Sequence, residues 1–303
     1  MWPNVREINL TIIGDRACGT TRAYLTYLAA AGFRPRALWL VDFFPAPHVA
    51  RRVRSIPLVG LSWANRIHRG GRPSGETMTP LMTRLCDELQ AAAPQPIDFV
   101  GDFDFAHFAG SLRNFVAEDF DDPFLQNEII GHCDQPFLYT NGGIVPKSLL
   151  AHPEVRILHI HPGIVPQMRG SDCLLWSCHR RGRLGASCFY MASGIDEGHL
   201  IRRTEFAVPD LSCLRDYLTA EHEDTVYRAL SRAFDPHIRA MLFAEVVADA
   251  ATSDLGAMPA EPQEANDEPA YLWMHPRIRL KVLRDLVAKG QQNPNGKLET
   301  IPA

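Results

Sequence analysis

The sequence has no apolar run near the roughly 20 residues that a membrane-spanning helix needs, and its start, Met1-Trp-Pro-Asn-Val-Arg-Glu, lacks the apolar core of a signal peptide. A cytoplasmic protein with no membrane partner is expected. Seven cysteines are scattered from Cys18 to Cys213 with no Cys-x-x-Cys pair, which argues against a disulfide framework and a zinc knuckle. There is no Gly-x-Gly-x-x-Gly, so no case for a dinucleotide, and no Gly-x-Ser-x-Gly to mark an activated serine. No internal repeat is present. Charge of one sign is also missing: 31 Lys and Arg face 35 Asp and Glu, a net charge of −4, which argues against a nucleic-acid partner.

What is there is an ordinary globular composition, 46% hydrophobic and 22% charged over 303 residues. Ile8 to Gly14 reads as a buried strand, a helix follows to about Ala31 with Gly32 as its stop, and Arg36 to Phe43 reads as a second strand. A strand-helix-strand unit points to a parallel sheet. Between them, Gly14, Gly19, Thr20 and Thr21 are either a phosphate cradle at the helix N-terminus or a plain strand-to-helix turn. Residues 45–76 are rich in Pro, Gly and Arg and read as an irregular basic loop, or a flap over an anionic substrate. Pro80 starts a helix. Ile97 to Phe105 alternates like a strand, with Asp98, Asp102 and Asp104 on one face. Asp122-Pro123 opens a helix, and Pro136 to Thr140 is the next strand, running into the Asn141-Gly-Gly turn.

The most informative stretch is Arg156-Ile-Leu-His-Ile-His-Pro-Gly-Ile-Val-Pro-Gln-Met-Arg-Gly170. A short β-branched run ends abruptly at Pro and Gly, the mark of a buried strand that stops. His159 and His161 sit two apart and share a face of that strand. Asp196 follows in a Gly-bracketed turn after a strand from Gly185 to Ala192. Strand ends are where α/β proteins bind ligands, and two imidazoles with a carboxylate can stabilise an oxyanion and move a proton. The same set is also a metal-ligand set. Ser171 or Asp172 caps the intervening helix, His199 to Val208 is a further strand, and Ser212 to Ala233 reads as one long helix.

This stretch resembles the folate-dependent formyltransferases, which include glycinamide-ribonucleotide, methionyl-tRNA and nucleotide-sugar N-formyltransferases. The matching residues are His161-Pro162, Val165-Pro166, Arg169-Gly170 and Asp196-Glu197-Gly198. At His159 the family pattern has Asn. The resemblance implies a Rossmann-like, mostly parallel sheet over residues 1–210. Sequence character adds a helical extension at 211–250, a linker at 251–269 and a C-terminal anchor helix and tail at 270–303, whose helices offer a homodimer surface. It implies His159, His161 and Asp196 as catalytic residues, with no metal. The formyl donor is then 10-formyltetrahydrofolate, its pocket built by Gly142, Gly143, Ile144 and Val145 on one wall and Ser193, Gly194 and Ile195 on the other. The acceptor, an amine of a small molecule, meets Gly14, Thr20, Thr21, Arg169 and Asp172. Competing readings are a 10-formyltetrahydrofolate hydrolase, a metal-dependent hydrolase on the His-x-His pair, and a folate-binding domain without chemistry.

Overall fold

The computed structural model describes residues 5–44, 47–55, 79–99, 103–140, 143–250, 254–266 and 269–301. Among the described residues, seven strands form one sheet: β1 (Arg6–Gly14), β2 (Phe33–Phe43), β3 (Ser111–Ala117), β4 (Phe137–Tyr139), β5 (Ile157–His161), β6 (Leu184–Tyr190) and β7 (Leu200–Phe206). Their order is β3-β2-β1-β4-β5-β6-β7. The pairs from β3 through β5 are parallel, and β6 and β7 close the edge antiparallel. This is the mostly parallel α/β sheet the sequence implies. The helices are α1 (Gly19–Ala30), α2 (Pro47–Arg54), α3 (Pro80–Gln90), α4 (Pro123–Ile130), α5 (Lys147–Leu150), α6 (Cys173–Arg181), α7 (Glu223–Ala233), α8 (Asp235–Asp249) and α9 (Pro276–Gly290). No helix among the described residues is long and apolar enough to cross a membrane.

Alternation along the strands divides the core into two layers. Ile12, Leu38, Leu40, Leu138, Leu158 and Ile160 face one side, where α1, α8 and α9 pack. Ile13, Trp39, Val41, Phe115, Phe137, Tyr139 and Ile157 face the other. His159 and His161 continue the face that Ile157 starts, so they leave the end of the second layer, where the chain of apolar residues stops.

Several expectations are corrected. Of the strand expected from Ile97 to Phe105, the described residues, 97–99 and 103–105, are not in a strand. Phe103 stacks on Phe108 at 4.7 Å and Phe105 is buried through a 3-10 turn, Phe105–Phe108, so every-second aromatics are buried by a turn rather than by a sheet. The edge strand is instead β3, whose polar first half, Ser111 to Asn114, hides it in sequence; only Phe115, Val116 and Ala117 are buried. The irregular region 45–76 contains α2, held where Arg54 donates to Asp122 and to the carbonyl of Val116. Residues 56–78, with most of the flap reading, and Asp102 lie outside the described residues.

The helix expected over Ser212 to Ala233 is a 3-10 turn, Ser212–Tyr217, followed by α7. Arg284 takes the carbonyl of Leu218 at 2.9 Å, which spends that acceptor outside a helical ladder. Past the 210/211 boundary drawn in the sequence, α7 and α8 contribute to the same buried cluster as α1. Tyr24 meets Phe243 edge-on, and Tyr27 shares a 3.0 Å hydrogen bond with His237 Nδ1. Helix α9 docks back on this core through Val282, Leu283 and Leu286 and a buried Arg279–Glu223 ion pair.

Within the segment expected as a linker, residues 254–266 make specific contacts. Leu255 is buried, and Glu261 and Leu200 exchange backbone hydrogen bonds of 2.8 and 2.9 Å along β7. An acidic, proline-rich composition leaves no periodic signal, yet the segment forms a strap along the edge strand.

Candidate active site

Strand β5 delivers both histidines to its C-terminal end, and their ring centroids are 6.3 Å apart. His161 is buried and anchored at both nitrogens. Nε2 lies 2.8 Å from the carbonyl of Met168, and Nδ1 lies 3.4 Å from Asp196 Oδ2. A carbonyl can only accept, so Nε2 carries a hydrogen. Nδ1 and the Asp196 carboxylate then face each other across the place of one further proton. Nε2–H is engaged by the Met168 carbonyl, so donating it elsewhere gives up that bond.

Asp196 is aimed by its backbone. Its φ is 55°, an uncommon conformation for a residue with a side chain. Gly170 N donates to its Oδ2 at 2.8 Å. Gly198 follows because a Cβ there would collide with the carbonyl of Tyr190. The Val165–Pro166 peptide is cis.

His159 differs. Its ring is partly exposed, yet its Nδ1 is buried and has no hydrogen-bond partner. Burial pushes its pKa down to about 4; Asp196 and a hydrogen bond with the Tyr139 backbone pull the other way, and Arg239 and His161 add to the depression. Burial, with Arg239, also holds His161 below its ordinary value, against the pull of Asp196. At neutral pH His159 is a neutral imidazole with a free nitrogen.

Other expected residues are placed as follows. Ile144 and Ile195 are 88% and 61% exposed, unusual for isoleucine, and Ser193 is exposed beside them. Gly143 has φ 125° and an exposed backbone, Gly194 is partly exposed, and Asn141 and Gly142 lie outside the described residues. Val145 is 3% exposed and packs in the second core layer.

The expected acceptor residues are mostly occupied. Thr21 Oγ1 is 2.7 Å from Thr140 Oγ1, and a Cβ on Gly14 would overlap Thr21. Asp15, buried, accepts from Ala17 N at 2.7 Å and puts a carboxylate before the first turn of α1, where a phosphate would have to sit. Thr20 is buried in that turn. Arg169 bonds Glu197 at 2.6 Å and the carbonyl of Asn266 at 3.3 Å. Asp172, with φ 55°, caps nothing on its own helix; its two oxygens take Tyr227 O–H at 2.6 Å and Met274 N–H at 2.7 Å.

Residues 137–233, which hold the whole of this arrangement, match the family model described as formyl transferase. This stretch is similar to a formyltransferase segment. Methionyl-tRNA formyltransferase of Syntrophus aciditrophicus is 30% identical over 100 residues, 32% of each chain, and that of Bacillus pumilus is 28% identical over 103 residues, 31% of this chain and 32% of the relative. The match thus spans about a third of the length of these curated relatives. Among solved structures, phosphoribosylglycinamide formyltransferase from Anaplasma phagocytophilum superposes with a TM-score of 0.43 at 13% identity, over 89% of this chain and 100% of that one. The fold assignment rests on the strand order above and not on that superposition.

Sequence reasoning missed the residues that hold the formyltransferase turns from outside. Gln263 Nε2 donates to the carbonyls of Asp196 at 2.8 Å and Gly198 at 2.7 Å, and Asn266 Nδ2 donates to that of Pro166 at 2.7 Å. Tyr271 exchanges backbone bonds with Arg169 and Ser171 and stacks on Trp176 at 4.8 Å. Nothing in the composition of 254–271 marks these roles. Arg239 was more legible, since it sits one helical turn after its partner Asp235. Two grooves of about 520 and 480 Å³ flank the strap near Arg203 and Glu264, and neither is lined by His159, His161 or Asp196.

Proposed function

We propose that the chain is an N-formyltransferase that moves the formyl group of 10-formyltetrahydrofolate to a primary amine of a small molecule. The observation that carries this reading is the convergence of a free neutral imidazole, His159, with a proton-holding His161–Asp196 pair at one strand end, inside the formyltransferase segment. The formyl donor supplies the electrophilic carbon and the leaving nitrogen. His159 donates N–H to the carbonyl oxygen as it gains negative charge, a contribution of roughly 3 kcal/mol for one donor of this kind. The attacking amine must lose a proton as its bond to carbon forms. Asp196 and His161 hold that proton between Oδ2 and Nδ1 and return it to the leaving nitrogen when the carbonyl re-forms. The exposed Ile144 and Ile195, with the open backbone of 193–194, support a pterin-sized ligand beside these groups. The balanced charge of the chain favours a small-molecule acceptor over tRNA.

The test is formyl transfer from 10-formyltetrahydrofolate to a panel of amino sugars, amino acids and nucleotide-linked amines, in chelator-treated buffer. Transfer to at least one amine, with Asp196→Asn reducing it by roughly 10²–10⁴-fold, supports the reading. Release of formate at the same rate with and without every amine makes this a hydrolase instead.

A further inference from the structure

The residue that separates this chain from the family pattern is His159, where Asn is expected. That exchange replaces a weakly coordinating amide with an imidazole, and it does so beside another imidazole and a carboxylate. The three side chains each bring one ligand atom, and these atoms all lie within 4.8 Å of one another.

Three independent observations point to a metal ion rather than to a chance cluster. The first is spacing. His161 Nδ1 and Asp196 Oδ2 are 3.4 Å apart. Two ligands on a tetrahedral zinc with bonds of 2.0–2.1 Å stand about 3.3 Å apart, so this pair already spans one tetrahedral edge. The second is support. Met168 carbonyl fixes Nε2–H of His161 and so turns the Nδ1 lone pair into the site, and Gly170 N–H fixes Asp196 Oδ2. A backbone carbonyl behind a histidine and a donor behind a carboxylate are the outer contacts that orient metal ligands. The third is His159 Nδ1 itself, a buried nitrogen without any partner. A buried polar atom left unpaired is costly unless something else meets it.

We propose that His159, His161 and Asp196 bind a zinc ion reversibly, and that zinc bound there switches formyl transfer off. The switch rests on the formyl-transfer reading, because the ion takes the free nitrogen of His159 and the gap where His161 and Asp196 hold the proton. The binding does not rest on it. With two imidazoles and one carboxylate supplying three positions, the fourth stays open to water.

The experiment uses the full chain, stripped of metal, titrated with zinc by calorimetry and with cobalt by visible absorption, while formyl transfer is followed on the same samples. One zinc per chain is expected, with a cobalt spectrum of tetrahedral intensity. His159→Asn and Asp196→Asn should each weaken zinc at least tenfold, with circular dichroism confirming that both remain folded. Transfer by the unaltered chain should fall in proportion to occupancy and return with chelator. Zinc affinity unchanged in His159→Asn, or no saturable binding at all, overturns the proposal and leaves formyl transfer in chelator untouched. Zinc binding lost in both variants, with no transfer in any condition, upholds the site and removes the formyl-transfer reading instead.

Discussion

Two strand ends of the same sheet, β1 and β5, present the same materials to the same edge and use them in opposite ways. At the end of β1, the threonine hydroxyls of Thr21 and Thr140 and the Asp15 carboxylate are engaged inward. Thr21 and Thr140 share a hydroxyl bond, Asp15 takes Ala17 N–H, and Gly14 is pressed against Thr21. At the end of β5, His161 and Asp196 are positioned by backbone partners, and His159 is left with an unpaired nitrogen. Threonine-rich strand ends and histidine-rich strand ends look equally suited to ligands in sequence. The difference lies in which of them keeps an imidazole nitrogen unpaired after folding, since the threonine end spends its hydroxyls on packing and the histidine end retains a group that can donate or accept.

The largest break in this comparison should come at His159. Replacing it with Ala removes the free donor and is expected to lower kcat by roughly 10²–10³-fold with little change in KM; a loss below threefold means the oxyanion is stabilised elsewhere. The next effect is on pH dependence. His159 and His237 are buried as neutral rings with pKa values of about 4, against about 6.5 in an unfolded chain. Between those values the unfolded chain binds the extra protons, so stability is full above about pH 6.5 and is lost as pH falls toward 4. The expected loss is on the order of 1–3 kcal/mol per ring. His159→Asn should flatten part of the slope in chemical denaturation, and an identical slope in the variant would remove His159 from that account.

Smaller still, Gln263→Leu deletes the two donors that the strap gives to the Asp196 turn. A fall of about tenfold in kcat is expected through misplacement of the carboxylate, and Gln263→Asn, which keeps the amide on a shorter stem, should restore part of it. The smallest change belongs to the packed end. Thr21→Val should cost about 1 kcal/mol of stability and leave transfer and acceptor KM within twofold. A large rise in acceptor KM would mean that this turn does meet substrate, and the contrast between the two ends would collapse.

Much of this was legible before folding. His159 and His161 share a face because strand periodicity is two, and the abrupt Pro162-Gly163 stop put them at an edge. Gly32, Pro80 and Asp122 announced helix ends or starts by their own chemistry. What was not legible depends on partners distant in sequence. Asp172 looks like a helix cap and a substrate ligand, and only the arrival of Tyr227 and the Met274 backbone turns it into a latch. Val145 reads like its neighbour Ile144, but one enters the core and the other faces outward. The strap has no periodicity because its contacts are made by backbone groups and two side-chain amides, which leave no pattern in hydrophobicity.

The strap also sets an order of events in time. Asp196 and Pro166 lie inside the segment shared with the formyltransferase relatives, which ends at residue 233, while Gln263, Asn266 and Tyr271 lie beyond it. On the ribosome, the sheet and both histidines are synthesised well before the residues that fasten their turns. The nascent chain therefore carries its reactive groups without these fastenings until residue 271 has cleared the exit tunnel.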